Sequence, residues 1–447
     1  MVIGGGPAGA LTVMRLLEGA RDGDVVVVEP AEALGRGTAF ATRDQAHLLN
    51  VPVGNMSARP EVPDDFVRWL AGAGLPTPPT AFVPRHLFGH YVDERLTAAA
   101  LSSAARLHHV RARVTALAPG APRSAVTLDD GRCLEADAVV LAVGTAPPDL
   151  SFAPASLRSD PRLIPDPWAP GALLEVPRDR DVLLVGTGLT MADVALSLMR
   201  PGRRVHAISR HGLLPHPHLV PAQPAAPAPD LADCTDLDAL RAAVRGHVAA
   251  TIAAQGDWRP AIDGLRSQLQ SCWQRLPLAD RLRFLREDLR AWEVRRHRMA
   301  PRTAEALQAA VTNGDVVLHT GTVLATDDRD GDLVVHLSDR SRVRVGAVVA
   351  CTGGIGALEE PGDPLLRSLL RDGTARPGPV GLGLDTASDG RLRDGSGAVH
   401  AGVWTLGALR RGNLWETTAI PEIRGQAAEV ADAVLAQVSE RPRQRVA

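Results

Sequence analysis

Three glycines near the start of the chain, Gly4, Gly6 and Gly9, have the spacing that lets a backbone turn cradle a pyrophosphate. A carboxylate, Glu29, follows twenty residues after the third. Gly4 permits the tight turn, Gly6 lets phosphates approach the main chain, and Gly9 lets a helix pack closely on its strand. Pro7 and Ala8 open that helix, whose unpaired amides and positive dipole end face the phosphates. Glu29 closes a run of valines at 25–28 and is placed to accept hydrogen bonds from ribose hydroxyls. The elements needed around these residues follow in order: a buried strand, the glycine turn, an apolar helix from residue 10 and a second buried strand. Only Met1, Val2 and Ile3 precede the glycines. A buried strand spans about five residues, so this one is expected to continue upstream of the numbered start.

The pattern returns in mid-chain. The strand at 181–185 runs into Gly186-Thr-Gly188-Leu189-Thr190-Met191, a helix and the strand at 205–208. Met191 replaces the third glycine, and Ser209 and Arg210 stand where the first copy has its acid. A serine and an arginine suit a 2′-phosphate and so point to NADPH. The other reading is a similar subdomain that has lost its nucleotide.

Between and beyond the two turns lie other candidates. Gly35-Arg36-Gly37-Thr-Ala-Phe40 reads as a flexible loop in which Arg36 meets a phosphate or adenosine edge. The aperiodic segment after it carries His47, Asn50 and Asn55, placed either to line a reactive ring or to sit as satisfied amides in a packed loop. Val114, within a strand-like stretch at 109–118, is counted with the cofactor contacts. A hairpin at Asp129-Asp130-Gly131 is expected to return the chain into the apolar strand at 138–145, whose Gly144 lets the backbone pass near the cofactor. Helices are expected at 64–72, 85–100, 236–256 and 261–310. Leu278, Leu282, Leu285, Leu289 and Trp292 recur at helical spacing as one buried stripe, with Arg281, Arg283, Arg286 and Arg290 on a solvated face. The denser cluster at 295–301 could meet NADPH phosphates or an acidic substrate. Near the end, Gly407, Trp404 and Trp415 precede a helix begun by Pro421, whose N-terminus suits a flavin's pyrimidine edge.

Composition narrows the function classes. The chain has 447 residues, enough for two or three domains, and a net charge of −2, which gives no footprint for nucleic acid. No apolar run reaches the length of a membrane span. All 49 basic residues are arginines, which excludes Schiff-base chemistry and a lysine general base. The four cysteines are scattered with no Cys-x-x-Cys, arguing against a dithiol reductase or structural zinc and for a reduced, cytoplasmic setting. His216 and His218 have no acid or cysteine partners nearby in sequence, so no metal site is expected.

Assembled, these segments resemble the YdhS-like family of bacterial FAD/NAD(P)-binding proteins. The matching stretches are Gly35-Arg-Gly-Thr-Ala-Phe40, His47-Leu-Leu-Asn-Val-Pro52, Val83-Pro-Arg-His-Leu-Phe-Gly-His-Tyr91, Val185-Gly-Thr-Gly-Leu-Thr-Met-Ala-Asp193, Ile208-Ser-Arg-His-Gly212, Arg296-His-Arg-Met-Ala-Pro301 and Trp415-Glu-Thr-Thr-Ala-Ile-Pro-Glu422. More distantly the chain is similar to flavin-containing and N-hydroxylating monooxygenases. The resemblance implies FAD on the first turn and NADPH on the second. It implies an α/β fold of two Rossmann-like domains: residues 1–150 and 340–447 binding FAD, 151–229 and 311–339 binding NAD(P)H, and a helical insertion at 230–310. The expected activity is NADPH-driven hydroxylation of a small-molecule nucleophile, such as an amine, by a hydroperoxide at the flavin C4a, with O2 as co-substrate. The alternatives are a flavin dehydrogenase or reductase that inserts no oxygen, and a non-catalytic flavin-binding redox sensor.

Overall fold

The computed structural model describes residues 1–144, 147–354 and 362–440. Near-continuous apolar stretches form two mainly parallel sheets whose central strands are buried, the first with Arg391–Arg393 antiparallel at its edge. The first sheet runs in the order Arg391–Arg393, Val399–Thr405, Val139–Leu141, Val2–Ile3, Asp24–Val28, Arg106–Val110. Val2 lies between Val27 and Val140 in register, so the opening strand is the centre of the sheet although it has two residues. The helices Pro7–Gly19 and Ile420–Glu440 pack together on one face. The second sheet is parallel throughout, in the order Val316–Thr320, Val205–Ser209, Val182–Val185, Ala347–Ala350, Leu163–Ile164. Two three-stranded antiparallel sheets, Val114–Ala118 with Ser124–Leu128 and Cys133–Ala136, and Val323–Arg329 with Asp332–Leu337 and Arg342–Val345, complete the α/β fold.

Several expectations need correction. The stretch at 109–118 is not one strand. It breaks at 111–113, leaving Arg106–Val110 in the first parallel sheet and Val114–Ala118 in an antiparallel one. The hairpin at Asp129 returns into Cys133–Ala136, and only then does the chain enter Val139–Leu141. Thr145, expected to end that strand, lies outside the described residues. Ala347–Ala350 pairs with Val182–Val185, so a boundary at 340 would place a central strand of the second sheet in the wrong unit. The chain crosses back after that strand, beside its outward crossing: Thr352 Oγ1 donates to Asp149 O at 2.8 Å.

The helical segment resolves into Leu237–Gln255, Arg259–Gly264, Arg266–Arg275, Leu278–Glu287 and Leu289–Arg296, followed by Pro301–Asn313. The expected stripe is buried only in part: Leu278 is 57% and Leu282 40% exposed, whereas Leu285, Leu289 and Trp292 are half-buried and pack with Phe284 near Trp415. Among the described residues no helix is long and apolar enough to cross a membrane.

Both glycine turns depend on backbone contact. A Cβ at Gly4 would collide with the carbonyl of Ala142, one at Gly186 with that of Cys351, and one at Gly9 with that of Gly4. Gly9→Ala should therefore lower the unfolding free energy by about 1–3 kcal/mol, the range for overpacking. Urea unfolding checks this; an unchanged midpoint would show that helix and strand can separate without cost.

Candidate functional site

Pro7 and Leu189, the residues that follow the second glycine of each turn, line a common cavity of about 280 Å³. Its lining includes the first residues of four helices: Pro7 of Pro7–Gly19, Leu189 of Leu189–Leu198, Ala300 and Thr303 at the start of Pro301–Asn313, and Ile420 of Ile420–Glu440. The first three helices have no side-chain cap. Four helix N-termini thus converge where a negative charge would be stabilised. Phe40, Leu48, Leu49, Met56 and Ile423 supply apolar walls.

The first turn fits a dinucleotide. Gly6 and Gly37 are in near contact, so the loop at 35–37 lies over the turn, and Gly35 N–H donates to Gly5 O at 2.8 Å. Arg36 is half-buried, 3.7 Å from Asp93, with its Nε shielded and unpaired. Glu29 accepts from Gly5 N–H at 2.7 Å and Ala31 N–H at 2.9 Å, which fixes the carboxylate at the strand end. Gly407 approaches Ala8 at 3.8 Å when given a Cβ. Its N–H donates to Gln426 Oε1 at 3.0 Å and its carbonyl accepts from Thr417 Oγ1 at 2.9 Å, a buried network that holds the turn in place. Gly144, with φ +81°, is exposed beyond its strand.

The second turn departs from the first at its third position. Met191 is buried in the core among Val182, Ala195 and Val205 while Gly188 keeps open space around it. Thr190 is half-buried in the first turn of the helix. Ser209 Oγ accepts from Thr187 Oγ1 at 2.8 Å and from Gly212 N–H at 3.1 Å. Arg210 is exposed at the strand end, with no ion-pair partner among the described residues. Arg290, expected on a solvated face, instead reaches the turn: its guanidinium donates to Thr187 O at 3.0 Å and Leu213 O at 2.6 Å.

His47, Asn50 and Asn55, the candidates for catalytic contacts at a reactive ring, are not brought together. Asn50 lines the cavity, and its carbonyl accepts from His218 Nε2 at 2.9 Å. Asn55 is exposed at the end of a short 3-10 turn. His47 is 2% exposed, with Nδ1 at 2.7 Å from Thr42 Oγ1 and Nε2 at 2.8 Å from Ser197 Oγ. Burial and the neighbouring Arg85 lower its pKa, so it serves as a neutral pin between the loop at Thr42 and the helix Leu189–Leu198. Val114 pairs with Leu128 and is buried in a hydrophobic cluster. Trp404 is likewise buried in the core. Trp415 turns away from the cavity: its ring stacks on Trp273 at 4.7 Å and lies under Arg411 at 4.8 Å.

Sequence reasoning missed one pair in the cavity wall. Arg85 Nη1 donates to Asp193 Oδ2 at 2.5 Å, and Arg85 also covers the Trp168 ring at 4.5 Å. Both residues lie within the family-like stretches quoted above, and their opposite charges were the available signal. Burial pushes the Asp193 carboxyl up to about 6, against the pull of Arg85. The cluster at 295–301 is mostly structural. Arg296 pairs with Glu416 at 3.1 Å, Arg298 pairs with Asp263, and burial beside Arg296 and Arg411 takes His297 down to about 3. Met299 and Ala300 alone of that cluster line the cavity.

The chain has an FAD/NAD-binding fold with two nucleotide-type turns opposed across one cleft. A family model described as FAD-NAD(P)-binding matches residues 1–146. No curated protein sequence matches the chain. Among solved structures, the fold is similar to that of an ornithine N-hydroxylase from Kutzneria sp. 744, with a TM-score of 0.63 and 17% identity over 97% of this chain and 98% of that one. It is similar to the L-lysine 6-monooxygenase of Pseudomonas syringae, with a TM-score of 0.62 and 17% identity over 98% and 99% of the two chains. The bacillithiol disulfide reductase of Staphylococcus aureus shares the fold at a TM-score of 0.58 and 12% identity, over 98% of each chain.

The shift at Asp193 sets a direction for stability. In the folded protein the carboxyl keeps its proton up to about pH 6, whereas in the unfolded chain it loses it near pH 3.9. Between about pH 4 and about pH 6 the unfolded state binds fewer protons, so this group's contribution to stability falls as pH rises. The unfolding free energy of the wild type should therefore decline relative to that of Asp193→Asn across this window. Parallel pH profiles for the two proteins would contradict the assignment.

Proposed function

We propose that the protein is an FAD-dependent, NADPH-using monooxygenase that hydroxylates a small-molecule nucleophile such as an amine, and that its family is the YdhS-like one. The observation that carries this reading is the cavity where both glycine turns and four helix N-termini meet. A bound flavin would accept hydride from NADPH and react with O2; the chain's own residues bind, orient and exclude water. In this assignment Gly4, Gly6, Pro7, Ala8, Gly9, Glu29, Arg36, Gly37 and Gly407 hold FAD. Gly186, Gly188, Leu189, Thr190, Ser209 and Arg210 hold NADPH, with Arg290 steadying the turn. The apolar wall from Phe40 to Met56 keeps water from the reacting centre, and Arg85 fixes the Asp193 carboxylate at its edge. We assign the sheet built from both ends of the chain to FAD, the sheet centred on Val182–Val185 and Ala347–Ala350 to NADPH, and residues 230–310 to an insertion beside them. The activities named for the ornithine and lysine enzymes of the same fold support an amine as the nucleophile.

A flavin reductase or dehydrogenase would use the same two turns, and the disulfide reductase of the same fold supports it as the second reading. A non-catalytic sensor is less well supported, because Met191 is taken up by the core and leaves Gly188 open. NADPH-dependent oxygen uptake, followed with and without added amines, separates the readings. Coupled formation of a hydroxylated amine is the expected result, and uptake yielding only hydrogen peroxide with every amine would favour the reductase. In the same assay Arg210→Ala should raise the KM for NADPH about 10- to 100-fold, the loss of a charge-assisted contact, and leave that for NADH unchanged. An unaltered NADPH KM would remove Arg210 as the 2′-phosphate reader.

A further inference from the structure

A second and larger cavity, of about 480 Å³, lies within the helical insertion and has no role in the account above. That volume is in the range of small-molecule sites, about 300–1,000 Å³. Its composition is unlike the rest of the chain. The sequence has seven tryptophans, and four of them, Trp258, Trp273, Trp292 and Trp415, line this one space together with Phe284. Leu240, Val244 and Val248 of the helix Leu237–Gln255 form the facing wall, and Ile252, 45% exposed, marks its opening to solvent. A cluster of large apolar side chains around unfilled volume forgoes the packing that a closed core would provide.

One polar feature specifies the occupant further. Three arginines line the cavity, Arg241, Arg245 and Arg295, against one acid, Asp288. Arg241 is engaged by Asp288, Glu287 and Asp238. Arg295 donates only to Ala291 O of its own helix, and Arg245 is exposed with no acidic partner among the described residues. The surplus is cationic.

We infer that this cavity binds a small molecule with an apolar alkyl or aryl body and a carboxylate, the body against the tryptophans and the carboxylate toward Arg245 and Arg295. The site is joined to the cavity between the turns. Trp415 lines one and Thr418, Ala419 and Ile420 line the other, along a single segment. Three ion pairs, Arg266 with Glu422, Arg296 with Glu416 and Arg411 with Glu293, clamp that segment to the insertion. Binding itself does not rest on the proposed redox activity. Its bearing on that activity does: if the ligand is the substrate, the nucleophile to be hydroxylated is carried on an apolar acid.

Isothermal titration of the purified full chain with decanoate and with decylamine tests this without nucleotide or oxygen. Saturable binding of decanoate is expected, with decylamine at least about 10-fold weaker. The double variant Arg245→Ala, Arg295→Ala should weaken decanoate about 10-fold, the scale of a charge-assisted contact. Val244→Trp, which fills the space, should abolish binding. Circular dichroism melting identifies a Val244→Trp protein that fails to fold, in which case the arginine variant decides alone. Equal affinity for the two probes, no saturable binding, or decanoate binding indifferent to the arginines would each overturn the inference. Decanoate binding without amine hydroxylation would instead count against the proposed activity.

Discussion

A limit on backbone distance organises this molecule. At Gly4 and again at Gly186 the chain leaves a central parallel strand so close to its neighbour's carbonyl, that of Ala142 or Cys351, that no side chain can be accommodated. The same positive φ, +100° and +109°, turns each strand into its helix. Those two turns aim the helices Pro7–Gly19 and Leu189–Leu198 at one space, and the N-termini of Pro301–Asn313 and Ile420–Glu440 complete it. Everything chemical about the site follows from that convergence: amides without side-chain caps, an apolar wall, and a single buried ion pair at its edge.

The two turns share their first and second glycines and differ at the third. In the first, Gly9 lets the helix backbone press against the turn; in the second, Met191 fills the corresponding place from within the core. Around the second turn, Arg290 from the insertion ties Thr187 to Leu213 across the loop. The insertion is therefore part of the second turn's architecture. Its ion pairs to Glu416 and Glu422 attach it equally to the segment that borders the first.

What the sequence made legible follows the same physics. Glycines that a turn requires and an acid that ends a strand can be read from type and spacing, because only a few residues satisfy the local geometry. Long-range choices are not written locally. Arg290 occupies a helical face that looks the same whether it meets solvent or Thr187, and Arg85 finds Asp193 across 108 residues of chain. The leucines at 278 and 282 have the period of a buried stripe, yet the helix presents Phe284 and Leu285 inward. Ala347–Ala350 leads toward Gly353 as Val139–Leu141 leads toward Gly144, and pairing alone decides that it belongs to the second sheet. His47 has a loop position that suits a reactive ring, yet its two hydrogen bonds to Thr42 and Ser197 make it a support for the cleft.

The central claim is that two dinucleotides meet in the cavity between the turns and pass a hydride there. Anaerobic mixing of the FAD-loaded protein with NADPH, and separately with NADH, tests it most directly through the bleaching of the flavin absorbance. The account predicts rapid bleaching by NADPH and slower bleaching by NADH. An oxidised flavin that persists with both nucleotides would contradict it.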